Sequence, residues 1–207
     1  MTRTPPTLDA GYFNAMYESS ADPWGFTSRW YEARKHAITV AMLPKARYRD
    51  AFEPGCSIGV LSDLLAPRCE HLLCCDIVPA AVQAAAERTA SHGNVEVQQR
   101  AVPRDWPDGQ FDLIVLSEIL YYFAGSDLGQ VLDLAVGALR PGAALLAVHW
   151  RHPVAEHPRT GDEVHAALAA RPEMARLARH TEPDFLAEVY LAGHGQPVSV
   201  AAAEGLT

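Results

Sequence analysis

Three stretches of this chain are apolar almost without interruption, and each stops at polar residues. Phe111-Asp112-Leu113-Ile114-Val115-Leu116 leads to Ser117-Glu118, residues 143–150 end in His149-Trp150, and His71-Leu72-Leu73-Cys74-Cys75 ends in Asp76. A strand that is apolar on both sides is covered on both faces, as in the middle of a parallel sheet. Around these runs the apolar spacing becomes helical: residues 30–43 up to Pro44, 60–66, 78–90 with Pro79 in the first turn, and 127–139. Residues 94–99 alternate and predict a third strand, Asp108-Gly109 predicts a turn, and 175–181 with 185–191 predict a terminal antiparallel hairpin. A further helix is expected to begin at residues 163–168, with Gly161-Asp162 as its cap. With the strand before Gly55 this makes an α/β fold: a doubly wound, mostly parallel seven-stranded sheet ending in a hairpin.

The first strand-to-helix turn is Phe52-Glu53-Pro54-Gly55-Cys56-Ser57-Ile58-Gly59. Gly55 can take backbone angles closed to other residues and lets a ligand press on the main chain, while Gly59 lets the next helix sit close to the sheet. Seventeen residues after Gly59, Asp76 closes the second strand, where a carboxylate accepts hydrogen bonds from the hydroxyls of a ribose. The turn is therefore suited to a nucleotide-like ligand. The glycines follow Gly-x-x-x-Gly rather than the dinucleotide pattern Gly-x-Gly-x-x-Gly, which argues against a dehydrogenase.

Composition narrows the partners. The chain has 207 residues, enough for one α/β domain, and a net charge of −8 that argues against a nucleic-acid surface. It has no apolar run of membrane-spanning length and no apolar core behind its first residues, so no membrane is expected and cytoplasmic residence is the default. Cys56, Cys69, Cys74 and Cys75 lack zinc-knuckle spacing and read as reduced core thiols. Residues 1–10 read as a flexible arm, 11–192 as a single domain and 193–207 as a disordered tail.

Glu53-x-Gly55-Cys56-Ser57-x-Gly59 resembles motif I of the class I S-adenosylmethionine (SAM) methyltransferases, with Ser57 in place of the middle glycine. Together with Asp22-Pro23-Trp24-Gly25-Phe26, Trp30-Tyr31-Glu32-x-Arg34-Lys35 and residues 111–122, it is similar to the nodulation protein S family, SAM-dependent N-methyltransferases, over about residues 12–150. The resemblance implies a Rossmann-like sheet with an N-terminal helical lid, residues 11–45, over bound SAM. It implies that Arg34 or Lys35 pairs with the SAM carboxylate and that Trp24 or Tyr31 faces the sulfonium. Glu53, Gly55, Cys56, Gly59, Asp76, Ile77 and Ser117 would line the cofactor. Where many SAM methyltransferases carry an Asp after the third strand, this chain has Arg100-Ala101-Val102, so Ala101 and Val102 would hold adenine through backbone and apolar contact.

Methyl transfer to an amine needs the neutral amine, because an ammonium has no lone pair, so a proton acceptor is required near the methyl group. Glu118, just past a buried strand at the ligand edge of the sheet, is the first candidate base, and His149 the second. Tyr122 or Tyr121 would line the methyl channel. A metal held by His149, His152 and His157 lacks suitable spacing, and none is expected. The expected acceptor is a small molecule carrying an amine, with an amino sugar implied by the family. An O-methyltransferase and a non-catalytic SAM-binding domain are the alternatives.

Overall fold

The computed structural model describes residues 5–207. It begins with two helices, α1 (Ala10–Ser19) and α2 (Trp30–Ala41), and continues as β1 (Tyr48–Pro54), α3 (Val60–Leu65), β2 (Cys69–Asp76), α4 (Pro79–Thr89) and β3 (Val95–Gln99). The second half is β4 (Phe111–Ser117), α5 (Gly125–Gly137), β5 (Leu139–Trp150), α6 (Gly161–Ala169), β6 (Met174–Thr181), β7 (Phe185–Ala192) and α7 (Val200–Ala203). The seven strands form one sheet in the order β3-β2-β1-β4-β5-β7-β6. The first five are parallel, with Phe52 opposite Ile114 and Ser117 opposite Val148, and β7 runs antiparallel to both β5 and β6.

The unbroken apolar runs have the expected cause. Along β4, Ile114 and Leu116 join the layer that holds Val131 and Leu132 of α5, whereas Leu113 and Val115 join the opposite layer with Leu61 and Leu65 of α3. Burying each such side chain contributes roughly 1.5–3 kcal/mol, so β4 anchors both layers. Parallel pairing brings the carboxyl ends of β1, β2, β4 and β5 to one edge, and the chain reverses its winding direction between β1 and β4. That reversal opens a crevice where open α/β sheets bind ligands.

Several boundaries differ from expectation. Helix α6 is capped by Thr160, not by Gly161-Asp162: Thr160 Oγ1 accepts from Glu163 N at 3.3 Å, and Glu163 reaches back to Thr160 N at 2.7 Å. Gly161 lies within the helix, so close to β5 that a Cβ would stand 2.3 Å from Trp150 O. Strand β5 starts at Leu139 rather than 143, crossing Pro141-Gly142 with a register shift against β4. Residues 1–4 of the expected flexible arm lie outside the described residues. The rest of that arm is tied down, with Leu8 N donating to Tyr122 O at 3.0 Å, Thr7 Oγ1 donating to Asp127, and Asp9 capping α1. The segment 193–207, expected to be disordered, carries α7, capped by Ser199.

Candidate functional site

The β1–α3 turn forms the floor of the crevice. Gly55, Ser57 and Gly59 all have positive φ, at 73°, 51° and 76°. At Gly55 the missing side chain matters, since a Cβ would lie 2.8 Å from Ile119 Cδ1. Gly59 abuts α4, where a Cβ would come within 2.9 Å of the Ala85 backbone. Ser57 has no such freedom and is held instead: its N–H donates to Asp76 Oδ2 at 2.9 Å, and its hydroxyl meets Tyr17 Oη at 2.5 Å. Asp76 Oδ1 also accepts from Val78 N at 3.0 Å, and burial raises the carboxyl pKa despite these donors.

Behind the turn, Glu53 is buried with Ser62 Oγ donating at 2.6 Å and Cys74 Sγ at 3.5 Å. Burial pushes its pKa from 4.5 to about 7. Folded Glu53 therefore keeps its proton across a window, about 4.5 to 7, in which the unfolded chain has released it. Its contribution to stability is fully present below that window, falls as pH rises through it, and is constant above. Glu53→Gln removes the effect, so the stability of the variant relative to wild type should rise by on the order of 3 kcal/mol between acid and neutral pH. Urea unfolding across the pH range measures this; a constant difference would show that Glu53 ionises as an ordinary carboxylate.

The opposite wall is the turn after β4. Glu118 has φ +55° and accepts three hydrogen bonds: from Lys35 Nζ at 2.6 Å, Tyr121 Oη at 2.5 Å and Trp150 N at 2.8 Å. Its own N–H donates to Val148 O at 2.8 Å. Lys35 also stands 3.0 Å from Glu32 Oε2, outside good hydrogen-bond geometry. Burial opposes the Lys35 charge, but Glu118 and Glu32 outweigh it and raise its pKa, so the ammonium is held. The Tyr121 phenol is pushed up by burial and by Glu118. Helix α2 buries a polar stripe at helical spacing, Glu32, Lys35, His36 and Thr39, of which the first three line this wall. Burial lowers the His36 pKa to about 4, so that ring is neutral at neutral pH.

Both walls enclose one cavity of about 400 Å³. Of the residues singled out from sequence, Trp24, Glu53, Gly55, Cys56, Asp76, Ile77, Val102, Ser117, Glu118 and Tyr122 line it. Trp24 stacks on Phe26, with ring centroids 5.6 Å apart, and meets Tyr17 edge-on. Four expectations need correction. Arg34 turns away and forms a bidentate pair with Glu182 at 2.7 and 2.8 Å, so of these two neighbouring cations it is Lys35 that lines the cavity. Gly59 serves helix packing rather than the lining, and Ala101 borders a neighbouring hollow, its N–H donating to Asp105.

The fourth correction is His149. It is completely buried, is absent from the cavity wall, and accepts Leu120 N–H on Nε2 at 3.1 Å, while burial drives its pKa well down. A ring whose lone pair is occupied inside the core cannot take a proton from an acceptor in the cavity. The three histidines considered for a metal separate as well: His149 meets His165, His152 meets Asp184, and His157 stacks on Tyr121. Tyr31, expected there, lines the cavity, and so do Tyr17, Glu32 and His36, which the sequence did not single out as cavity residues. The polar stripe on α2 was the legible signal for two of them; nothing in the sequence marked Tyr17 as the partner of Ser57.

A glycine cradle and a strand-end carboxylate thus face one cavity beneath two N-terminal helices. Residues 17–160 match the family model for nodulation protein S (NodS). The chain belongs to the NodS family. It is 31% identical over 132 residues to nodulation protein S of Rhizobium tropici, covering 60% of this chain and 53% of that protein. Against nodulation protein S of Bradyrhizobium diazoefficiens the identity is 32% over 102 residues, 49% of each chain. This NodS-family chain thus spans about half the length of the curated relatives it matches. A crystal structure from Pseudomonas syringae, assigned as a methyltransferase, is 48% identical with a TM-score of 0.71, covering 79% of this chain and 99% of that one. The N-methyltransferase NodS of Bradyrhizobium japonicum, in complex with S-adenosyl-L-homocysteine, superposes with a TM-score of 0.80 at 23% identity, over 89% of this chain and 99% of that one. That likeness shows a shared fold. Among the described residues, no helix is long and apolar enough to cross a membrane.

Proposed function

We propose that this NodS-family chain binds SAM in the cavity and transfers its methyl group to the amine of a small molecule, an amino sugar being the acceptor the family suggests. The observation that carries the reading is the joining of two features in one cavity: the Gly55–Asp76 cradle and the strand-end carboxylate Glu118. The residues fit the cofactor. Gly55 leaves the main chain open, Asp76 lies in the wall where a carboxylate would accept from ribose hydroxyls, and Trp24 adds an aromatic ring to the lining that a sulfonium would meet. Tyr31 Oη and His36 Nδ1 are buried in the wall without a hydrogen-bond partner among the described residues, which suits a polar ligand there.

When bound, SAM supplies a methyl group already activated by a positively charged sulfur. The remaining work falls to the protein. Tyr122 and the aromatic walls exclude water and align the nitrogen, and Glu118 accepts the proton that the amine loses, with Lys35 and Tyr121 holding its carboxylate in place. The acidic net charge of −8 suits a small acceptor better than a nucleic acid, and we propose a cytoplasmic setting for the reaction.

Titration calorimetry with SAM and S-adenosylhomocysteine tests the cofactor half. Asp76→Ala is expected to weaken binding about tenfold or more, roughly 1.4 kcal/mol for the lost ribose contacts, with circular dichroism confirming that the variant is folded. Absence of binding by folded wild-type protein would overturn the proposal. Transfer of labelled methyl to glucosamine and related small amines tests the acceptor half.

A further inference from the structure

Behind the 118–122 turn, away from the cavity, buried polar side chains form a continuous chain. Leu120 N–H donates to His149 Nε2 at 3.1 Å, His149 Nδ1 lies 3.1 Å from His165 Nε2, and His165 Nδ1 lies 2.7 Å from Glu188 Oε2. Tyr190 Oη donates to the same carboxylate at 2.7 Å, and Arg176 pairs with its other oxygen at 2.9 Å. His149, His165 and Glu188 are 0%, 3% and 1% exposed, so water does not complete these bonds.

Their proton positions follow from one fact: a backbone N–H can only donate. His149 Nε2 must therefore be bare, and a neutral ring then carries its proton on Nδ1. That proton points at His165 Nε2, which must be bare in turn, leaving the His165 proton on Nδ1 to meet Glu188. A second proton on either ring would set two N–H groups against each other. The chain thus admits a single arrangement, running from the turn to a carboxylate fixed by Arg176 and Tyr190.

What the chain holds is strained. Glu118, a non-glycine residue at φ +55°, sits in a conformation that persists only where its surroundings enforce it. Three consecutive residues at the end of β5 enforce it: Val148 O accepts Glu118 N–H, His149 Nε2 accepts Leu120 N–H, and Trp150 N–H donates to the Glu118 carboxylate. The middle bond is the only one of the three to which β5 contributes a side chain, so it depends on how that ring is oriented.

We infer that His149, His165 and Glu188 are positioning residues, a buried relay that orients the 118–122 turn and thereby aims Glu118 at the reacting amine. The inference rests on the methyltransferase reading for the reaction, but the anchoring does not. Two of the three residues lie beyond residue 160, where the family match ends, so the C-terminal part of the chain helps to build the site. Helix α6 supplies His165 and β7 supplies Glu188.

Long-range ¹H–¹⁵N spectra of histidine-labelled wild-type protein should show His149 bare at Nε2 and protonated at Nδ1, unchanged from about pH 6 to about pH 8. In His165→Leu, the Leu120 amide should exchange with solvent about tenfold faster or more, while β4 amides and SAM affinity stay within about twofold of wild type. With glucosamine as the probe, kcat should fall by about 10- to 100-fold without a matching change in KM for SAM, and His165→Gln, which can accept and donate along the same line, should recover most of it. A His149 carrying its proton on Nε2, or titrating as an ordinary imidazole, would overturn the relay. So would a His165→Leu protein with wild-type Leu120 exchange. The spectra and the exchange rates decide the relay even if glucosamine is not methylated, whereas failure of SAM to bind wild-type protein would count against the methyltransferase reading alone.

Discussion

Glu118→Gln is expected to lower methyl transfer by about 10²- to 10⁴-fold while leaving SAM affinity within about threefold of wild type. The glutamine keeps the shape of the side chain and an oxygen to accept from Lys35, but it has no basic carboxylate to take the amine proton. Its effect should therefore fall on turnover rather than on cofactor binding. The pH dependence should change as well. Without a base, the reaction must wait for the amine to lose its proton to solvent, so the variant's rate should climb as pH rises towards the acceptor amine's own pKa. Labelled-methyl transfer at saturating SAM across a pH series measures both effects. A Gln variant that binds SAM and turns over at the wild-type rate would remove Glu118 from the chemistry.

Lys35→Met should cost about 3–5 kcal/mol of stability at neutral pH, the usual penalty for removing one partner from a buried ion pair. Lys35 is 2% exposed and stands 2.6 Å from Glu118 and 3.0 Å from Glu32, so the methionine would leave two carboxylates facing each other without a cation. Its raised pKa means that its stabilising charge is fully present below the unfolded lysine value of 10.5 and is lost only as pH rises through the higher folded value. At neutral pH the whole contribution is therefore at stake. The deficit should shrink towards acid pH, because the stranded carboxylates can then take up protons. The Glu32 carboxyl, already raised by burial, is placed to do so first. Urea unfolding at neutral and acid pH reads the difference, and a loss below about 1 kcal/mol at neutral pH would mean that the three charges are independently solvated.

The comparison between Arg34 and Lys35 shows where reading a sequence stops. Both are cations on the same helical turn, and composition treats them alike. Adjacent residues on a helix point about 100° apart, however, so one faces the cavity and the other faces β7 and the Glu182 loop. The rotation of α2 is set by packing of Tyr31 against Trp150 and Phe185, residues more than a hundred positions away. The buried polar spacing Glu32, Lys35, His36, Thr39 carried the information, but a polar stripe reads as the solvent face unless the helix is known to cover a cavity. His149 failed as a base for a related reason. Its place at a strand end was right, yet strand alternation turns it into the layer with Leu120 and α6 rather than towards the ligand edge.

The sequence by itself determined the order of strands and helices, the edge of the sheet at which chemistry would gather, and the glycine cradle with its Asp76. Those features follow from local periodicity and from backbone angles that only certain residues accept, and both are written into short stretches of chain. Only the tertiary structure decided which charges share the cavity, how Glu118 is held, and that His149 serves the turn from behind. Those outcomes depend on hydrogen bonds between residues 16 to 83 positions apart, such as His149 to His165 and Lys35 to Glu118. Such bonds form only after the apolar layers have fixed how α2, β4 and β5 face one another, because the partners must come within about 3 Å with the correct orientation.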